Sequence, residues 1–257
     1  MRYLILSDVH ANLEALAATL DAAAGEWERV LVLGDLVGYG ADPNAVIERV
    51  RALPVSDIVR GNHDKVGAGL ASTDTFNHVA RQAIEWTAGV LTDDNRAWLA
   101  ALPMGPACVD DVTEICHGAP SDEDEYLFDE NDVERTLPAL KRQLCLFGHT
   151  HVPSVFRVGT SAGMSAGTSA GTSVEAMLPI RGERCVVPLE PTQRYLLNCG
   201  AVGQPRDSDP RAAFGLLDTN ARVLTIVRAV YDVAAAQAKI LSAGLPSVLA
   251  QRLAVGR

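Results

Sequence analysis

The sequence predicts an α/β fold, a four-layer αββα sandwich in which two mixed β-sheets pack face to face between outer layers of helices. Two observations support this fold class. In residues 1–101, short apolar runs alternate with segments whose apolar residues recur at helical spacing. After residue 106, short strand-like runs dominate. With 257 residues and 48% hydrophobic content the chain can bury a large core, and we expect one domain spanning residues 1–257.

The N-terminal segment predicts three strands joined by helices. Apolar runs at residues 3–6, 30–33 and 55–59 have the length and composition of buried strands. Between the first two, apolar residues at helical spacing follow Asn12, a residue type that caps helices. A second helix is expected over residues 43–51, where proline occupies the first turn. Strands linked by helices in this way run parallel through crossover connections.

Helices and short strands account for most of the remaining chain. In residues 76–101 the apolar side chains recur at helical spacing. The tail at residues 231–253 shows the same spacing, with a break at Gly244-Leu245-Pro246. We expect the tail to pack on the outer face of the sandwich. The strands expected between these helical segments are residues 107–109, 112–116, 144–147, 154–158, 174–178, 185–187, 195–199, 213–218 and 223–230.

Residues 159–173 stand apart, because they repeat a four-residue unit of glycine, serine, threonine and alanine with one methionine. Small and flexible residue types of this kind cannot build a packed core. The segment therefore predicts a mobile hairpin tip in preference to a domain linker or a lid.

Composition excludes several classes of protein. The formal net charge of -10 disfavours a nucleic-acid groove and an anionic membrane surface, which both attract clustered lysine and arginine. The apolar stretch at the N-terminus is too short for a signal peptide, and no run approaches the ~20 apolar residues that cross a bilayer. Five cysteines without a C-x-x-C pair do not form a disulfide framework or a zinc ribbon. These features predict a cytoplasmic protein.

Five of the six histidines lie in short polar motifs, and each motif directly follows an apolar, strand-like run. In open α/β sheets, ligands gather at the carboxyl ends of the strands, so these motifs are expected to meet. The motifs are Asp8-Val9-His10, Gly34-Asp35, Gly61-Asn62-His63-Asp64, Cys116-His117-Gly118 and Gly148-His149-Thr150-His151.

The residue types of these motifs suit a pair of divalent metal ions. Two such ions repel each other through four unit interactions of about 4 kcal/mol each at 4 Å, so carboxylates such as Asp8 and Asp35 are needed around them. Imidazole mixed with carboxylate favours Mn, Fe, Zn or Co over Ca and Mg. Asp8 and His10 can share an ion only if the chain turns between them, whereas His149 and His151 are more suited to different ions.

The ordered set D-x-H, G-D-x-x, G-N-H-D/E, H and G-H-x-H, spanning residues 8–151, resembles the calcineurin-like metallophosphoesterase superfamily. The segments at residues 7–16, 34–40 and 198–207 resemble a small bacterial, phosphodiesterase-like branch of it. The resemblance implies the αββα sandwich and a strand order that periodicity leaves open.

The resemblance also implies a role for each motif residue. His63 would be no metal ligand but would stabilise the transferring phosphoryl group or protonate the leaving oxygen. A hydroxide activated by the metals would be the nucleophile. The implied ligands are Asp8, His10, Asp35 and His151 for the first ion, with Asp35 bridging, and Asn62, His117 and His149 for the second.

By this resemblance the chain would hydrolyse small phosphoric esters, including nucleotide-like ones, with phosphodiesters preferred over monoesters. Two alternatives remain open: a catalytically idle scaffold with the same fold, and a protein phosphatase or dinucleoside-polyphosphate hydrolase. Protein Ser/Thr phosphatases carry Asp-Arg where Gly38-Tyr39 stand and glycine where Ala11 stands, which disfavours that activity. Metal content, turnover and a substrate panel would distinguish these functions.

Two arginines are candidates for substrate contact. Arg206 lies in a glycine-containing loop whose backbone amides suit an anion, and Arg60 precedes Gly61, although a surface ion pair is the more ordinary role for Arg60. The acidic run at residues 122–125 is expected to be a solvated loop near the rim of the site. Neither motifs nor composition indicate an oligomeric state.

Overall fold

A computed structural model of the chain describes residues 1–160, 172–177, 180 and 182–257. Most of the predicted hairpin tip at residues 159–173 lies outside the described residues. The helices are α1 Leu13–Ala22, α2 Pro43–Arg51, α3 Asn62–Gly67, α4 His78–Val90, α5 Asp93–Ala100, α6 Glu130–Thr136, α7 Val233–Ser242 and α8 Ser247–Leu253. The strands are β1 Arg2–Leu6, β2 Arg29–Val32, β3 Val55–Ile58, β4 Ala107–Cys108, β5 Thr113–Ile115, β6 Leu144–Phe147, β7 Ser154–Thr160, β8 Thr172–Ala176, β9 Arg184–Pro188, β10 Arg194–Asn198, β11 Ala212–Asp218 and β12 Val223–Ala229.

The strands form two six-stranded mixed sheets. The first has the order β3-β2-β1-β11-β12-β9, and the second has the order β4-β5-β6-β10-β7-β8. In the first sheet β1, β2 and β3 are parallel, as the strand and helix pattern predicts, while β11 pairs antiparallel with β1. In the second sheet β5, β6 and β10 are parallel. The predicted fold class, a sandwich of two mixed sheets with helices outside, is confirmed.

Alternation of side chains along the central strands defines the layers. In β1, Leu4 and Leu6 join the core between the first sheet and its helices, whereas Tyr3 and Ile5 join the core between the two sheets. In β6, Leu144 and Leu146 belong to the inter-sheet core. Cys145 and Phe147 face the outer core beside α6. Because successive strand residues point to opposite faces, these strands are buried on both sides, which explains their nearly continuous apolar character.

Short helices are the main difference from the sequence prediction. The expected helices at residues 43–51, 76–101 and 231–253 are present, the last two each as a pair. Neither α3 nor α6 was expected, because each spans fewer than eight residues and has too few apolar positions to show helical periodicity. In both, the acidic side chain at the third position accepts from the backbone N–H of the cap residue, and in α6 the cap side chain of Asp129 also accepts from Asp132, which completes a capping box.

The two sheets bring the five polar motifs to one edge. Asp8, Asp35 and Gly61 each follow a parallel strand of the first sheet, while His117 and His149 follow parallel strands of the second. Since carboxyl ends of parallel strands share an edge, the motifs of both sheets converge there. Among the described residues, no helix is long and apolar enough to span a membrane.

Candidate metal centre

Two groups of buried ligand atoms lie at this edge. In each group, the ligand atoms of the side chains all lie within 4.8 Å of one another, a spacing that suits ligation of one ion. Asn62 adjoins the second group, with its Oδ1 3.3 Å from His117 Nε2. The first group is Asp8, His10, Asp35 and His151, and the second is Asp35, His117 and His149.

Sharp turns of the backbone deliver these side chains. The first ligands are close together because the chain turns after β1, where Asp8 has φ 53° and His10 has φ 48°. Asp35, His149 and His151 also adopt positive φ, at 54°, 67° and 61°. Non-glycine residues rarely take this left-handed conformation, and it is concentrated at functional sites. His149 and His151 point into different groups, which agrees with the expectation that they suit different ions.

Backbone carbonyls fix the tautomer of each imidazole. Nδ1 of His10 lies 2.9 Å from the Val37 carbonyl oxygen, and Nδ1 of His151 lies 2.6 Å from that of Gln204. His117 Nδ1 lies 2.7 Å from the carbonyl oxygen of Leu33. A carbonyl only accepts, so each Nδ1 carries a hydrogen and each Nε2 points into the cluster. These are three imidazoles oriented as metal ligands.

The His149 ring has the opposite orientation. Its Nε2 lies 3.2 Å from the carbonyl oxygen of Asp124, so Nε2 carries the hydrogen and Nδ1 is the atom available as a ligand. The backbone of the acidic run therefore orients a candidate ligand, a contact that the sequence does not indicate.

Facing lone pairs show that a cation suits this place. His10 Nε2 lies 3.1 Å from His151 Nε2, and His151 Nε2 lies 3.3 Å from Asp8 Oδ1. Burial lowers the pKa of both His10 and His151 well below the usual range, so both rings are neutral and neither Nε2 has a hydrogen to donate. Two buried lone pairs at this distance repel each other, and a divalent ion between them would turn the repulsion into ligation.

Asp35 is shared between the two groups. Its Oδ1 accepts a hydrogen bond from the backbone N–H of His63 at 2.9 Å. The other oxygen, Oδ2, lies 3.6 Å from His10 Nε2 and 3.3 Å from His117 Nε2. One oxygen is thus fixed by the backbone while the other faces both candidate ions, which is the geometry that a bridging carboxylate requires.

The electrostatics of the centre also suit cations. Asp8 and Asp35 are almost fully buried, and burial raises the pKa of Asp8 to about 6. Burial also lowers the pKa of His149 to about 3. Burial also tends to lower the pKa of His117, but the adjacent Asp35 carboxylate outweighs this effect and raises the pKa of His117 to about 10. A bound cation would take the place of that proton beside Asp35.

His63 lies beside the candidate ligands and is not one of them. Its ring packs between those of Tyr39 and Phe76, at centroid distances of 4.4 and 4.7 Å, and its Nδ1 has no hydrogen-bond partner among the described residues. Burial lowers the pKa of His63 to about 4, so the ring is neutral. It lines a cleft of about 430 Å³ together with Asn62 and His149.

The two candidate arginines have different surroundings. Arg206 lies at the site, where its guanidinium carbon is 5.7 Å from the centre of the Tyr39 ring and its backbone N–H donates to the His151 carbonyl. Its Nε is buried without a partner among the described residues. Arg60 instead forms a bidentate ion pair with Glu123, through two hydrogen bonds of 3.1 Å. The surroundings of Arg60 favour a structural role over substrate contact.

The acidic run differs from the solvated loop that the sequence favours. The Glu123 side chain is only 9% exposed, because it accepts from Arg60 and, at 2.9 Å, from Lys65. Asp124 borders the cleft and orients His149 through its carbonyl oxygen. Asp122 and Asp124 are exposed, as expected of a solvated loop. The expectation failed at Glu123, because its pairing cations lie about sixty positions earlier in the chain, where sequence alone gives no sign of proximity.

Comparison with known proteins identifies the family. A family model of the calcineurin-like phosphoesterase superfamily domain matches residues 1–222. The chain belongs to the calcineurin-like phosphoesterase superfamily. The resemblance inferred from the five motifs is thereby confirmed.

Similar proteins match the chain over nearly its whole length. An uncharacterized protein of Methanocaldococcus jannaschii is 33% identical over 265 residues, covering 98% of this chain and 97% of its own. The crystal structure of a metallophosphoesterase from Sphaerobacter thermophilus matches with a TM-score of 0.82 and 38% identity, over 100% of this chain and 99% of that one. A hypothetical protein of Pyrococcus horikoshii OT3, with a TM-score of 0.74, 18% identity and coverage of 100% and 98%, shares the fold.

Two kinds of contributor to the site were missed by sequence reasoning. The carbonyls of Val37, Leu33 and Gln204 orient the imidazoles, but every residue has a carbonyl, so composition offers no signal for them. The aromatic rings of Phe76 and Tyr126 also line the cleft. The sequence places Phe76 at the start of an expected helical segment and Tyr126 directly after the acidic run, and neither position signals a role in the site.

Proposed function

We propose that this superfamily member is a two-metal hydrolase of phosphoric esters that prefers phosphodiesters to monoesters. The observation that carries the proposal is the pair of neutral, buried imidazoles whose Nε2 atoms face each other at 3.1 Å beside two buried carboxylates. Such a cluster is unfavourable without cations and favourable with them.

The proposed ligands follow from the atoms that face each group. The first ion would be held by Asp8, His10, Asp35 and His151, and the second by Asp35, Asn62, His117 and His149. A mixed imidazole, amide and carboxylate set suits Mn, Fe, Zn or Co. The two ions would supply the activation of water and the charge stabilisation that in-line displacement at phosphorus needs.

The remaining polar residues would act on the phosphoryl group directly. Neutral His63 can donate one N–H to a phosphoryl or leaving-group oxygen, since it borders the cleft beside Asn62. Arg206 would bind another phosphoryl oxygen, because its guanidinium is always charged and its Nε lacks a partner within the described residues. Contact of Arg60 with substrate stays a prediction with weaker support, given its ion pair with Glu123.

The proposed preference for diesters is based on the volume of the cleft beside the metal centre. A phosphodiester carries a second organic group, and the cleft of about 430 Å³ next to His63 is large enough for a small one. We expect a small-molecule ester as substrate, since the net charge of -10 disfavours nucleic acid and membranes. We also infer a cytoplasmic location, supported by five cysteines that form no disulfide.

Hydrolysis of bis(p-nitrophenyl) phosphate by chelator-stripped protein, with and without Mn²⁺, tests the proposal. Wild-type protein should gain turnover with Mn²⁺, whereas Asp35→Asn should lose at least one ion per chain and ~10² or more of the turnover. Asp111→Asn is the matched control, because it removes an exposed carboxylate outside the centre. Full metal content and turnover in Asp35→Asn would refute the site; metal-loaded wild-type protein without turnover would favour the idle scaffold.

A further inference from the structure

The cleft beside the candidate metal centre has aromatic walls. Besides Asn62, His63 and His149, its lining includes the rings of Phe76 and Tyr126. Its volume of about 430 Å³ falls in the range of small-molecule sites. The cleft therefore joins the phosphoryl-binding residues to a compartment with apolar, planar surfaces.

Both rings are fixed by residues of the centre. Phe76 packs against His63 with a centroid distance of 4.7 Å. Tyr126 stacks on His149 at 3.8 Å with an interplanar angle of 22°, and Phe128 stacks on Tyr126 at 5.3 Å and 6°. Aromatic rings that are already fixed lose little conformational entropy when a ligand stacks on them.

These rings are also more exposed than ordinary core residues. Tyr126 is 41% exposed and Phe128 is 61% exposed, so a column of aromatic rings extends outward from the candidate ligand His149. Adjacent large apolar side chains on a surface are typical of binding sites. The position of this column at the metal centre links it to the substrate of that centre.

Charge decides which part of a substrate suits the cleft. Among the described lining residues, Lys65 is the only lysine or arginine. Its Nζ is neutralised by Glu123 at 2.9 Å and Asp124 at 2.6 Å. Among these lining residues a polyphosphate chain would meet no unpaired lysine or arginine, whereas an uncharged aromatic group would meet the Phe76 ring and the edge of Tyr126, whose two faces are covered by His149 and Phe128. Ser72, Thr75 and Asn77 add hydroxyl and amide groups to the same lining.

We propose that this cleft binds the organic group of the phosphoester and selects a planar aromatic one, such as a nucleobase, with Phe76 and Tyr126 as the specificity-determining residues. Base stacking on aromatic side chains tolerates different bases, and the polar residues of the lining can bind base edges. The inference rests on the proposed phosphoesterase function for the placement of the phosphoryl group.

Two probes that differ only in the base test this selectivity. Calorimetric titration of Mn²⁺-loaded protein with adenosine 5′-monophosphate and with ribose 5-phosphate should give at least ~10-fold tighter binding of the nucleotide. Phe76→Leu and Tyr126→Leu keep apolar volume but remove a ring, and each should reduce this ratio several-fold. Trp86→Leu is the matched control, because it removes a half-buried ring that does not line the cleft, and it should keep the ratio within about twofold.

Parallel assays of bis(p-nitrophenyl) phosphate hydrolysis separate the two proposals. If the protein hydrolyses the diester but binds both probes equally, the aromatic selectivity is overturned and the phosphoesterase function stands. The same holds if the protein turns over the diester and Phe76→Leu and Tyr126→Leu leave the binding ratio unchanged. A nucleotide preference without any turnover would support the selectivity and overturn the proposed function. An equal loss of ratio in Trp86→Leu would overturn the assignment to the cleft.

Discussion

Gly38 determines where the His63 ring can lie. Gly38 has φ +87°, and a Cβ at this position would lie only 2.3 Å from His63 Nδ1. Side chains cannot approach so closely, and L-residues rarely adopt this φ, so only glycine permits the observed ring position. The glycine next to Tyr39 therefore acts as a steric complement to the proposed phosphoryl-binding histidine.

Gly38→Ala should consequently lower turnover by displacing His63, with a loss approaching the ~10² expected for removing a positioned donor. Gly69→Ala is a matched control, since Gly69 has φ +83° but no atom within 4 Å of the added Cβ. In both variants the alanine must adopt a positive φ, which lowers the free energy of unfolding by roughly 1 kcal/mol. Steady-state kinetics and metal analysis distinguish displacement of His63 from the backbone cost that both variants share. Equal turnover in both variants would contradict the steric role of Gly38.

The loop that contains the acidic run is attached to the rest of the fold mainly through one carboxylate. Glu123 binds both Arg60 and Lys65, whose side chains are 19% and 14% exposed, and so attaches this loop to the end of β3 and to α3. Tyr126 and the Asp124 carbonyl belong to the same loop. Stability of the loop thus contributes to the orientation of His149.

Glu123→Ala should lower the free energy of unfolding by about 2 kcal/mol, between the values for exposed and buried ion pairs. Glu125→Ala, which loses a 3.7 Å pair with the 60% exposed Arg135, should cost less than about 1 kcal/mol. Urea unfolding measures both, and equal effects would contradict the anchoring role.

The pH dependence of this anchor has a defined sign. Burial alone would raise the pKa of Glu123, but Arg60 and Lys65 hold it below its usual value. The stabilisation is therefore complete above the unfolded pKa of about 4.3 and is lost as the pH falls through the lower folded pKa. The difference in unfolding free energy between wild type and Glu123→Ala should shrink over that acidic range.

At the scale of the whole molecule, metal binding should raise the free energy of unfolding. An ion that binds only the folded chain adds about 2.7 kcal/mol at a free concentration of 100 Kd. For a protein of 257 residues this corresponds to a rise in Tm of roughly 5–10 °C. Calorimetry of chelator-stripped protein with added Mn²⁺ should show the rise, and Asp35→Asn should show a smaller one. An unchanged Tm in wild type would contradict ion binding at the buried cluster.

Much of this architecture was predictable because strands buried on both faces leave an apolar signal. The runs at β1, β2 and β6 and the caps and prolines of the longer helices carry local information, and their predicted positions are confirmed. Placement of polar motifs directly after strands allowed Asp8, Asp35 and His149 to be assigned to one sheet edge. These are features that depend on neighbours within a few residues.

Other features depend on contacts between distant segments. The positive φ of Asp8 and Asp35 arises from packing of loops against each other, since local preference favours negative φ for both. The pairing of β1 with β11 joins residues more than two hundred positions apart. The contact of Glu123 with Arg60 is likewise set by the fold. Such contacts follow from the tertiary structure and leave no periodic or compositional sign.

The reversed ring of His149 would give the two proposed ion sites different spectroscopic signatures. In Zn²⁺-loaded protein, His10, His117 and His151 would be metallated at Nε2, whereas His149 would be metallated at Nδ1. Nitrogen chemical shifts of imidazole differ between these two forms. One resonance set, from a single side chain, would therefore report occupancy of the second site alone, and the order in which the two sites fill could be followed without any substitution in the protein.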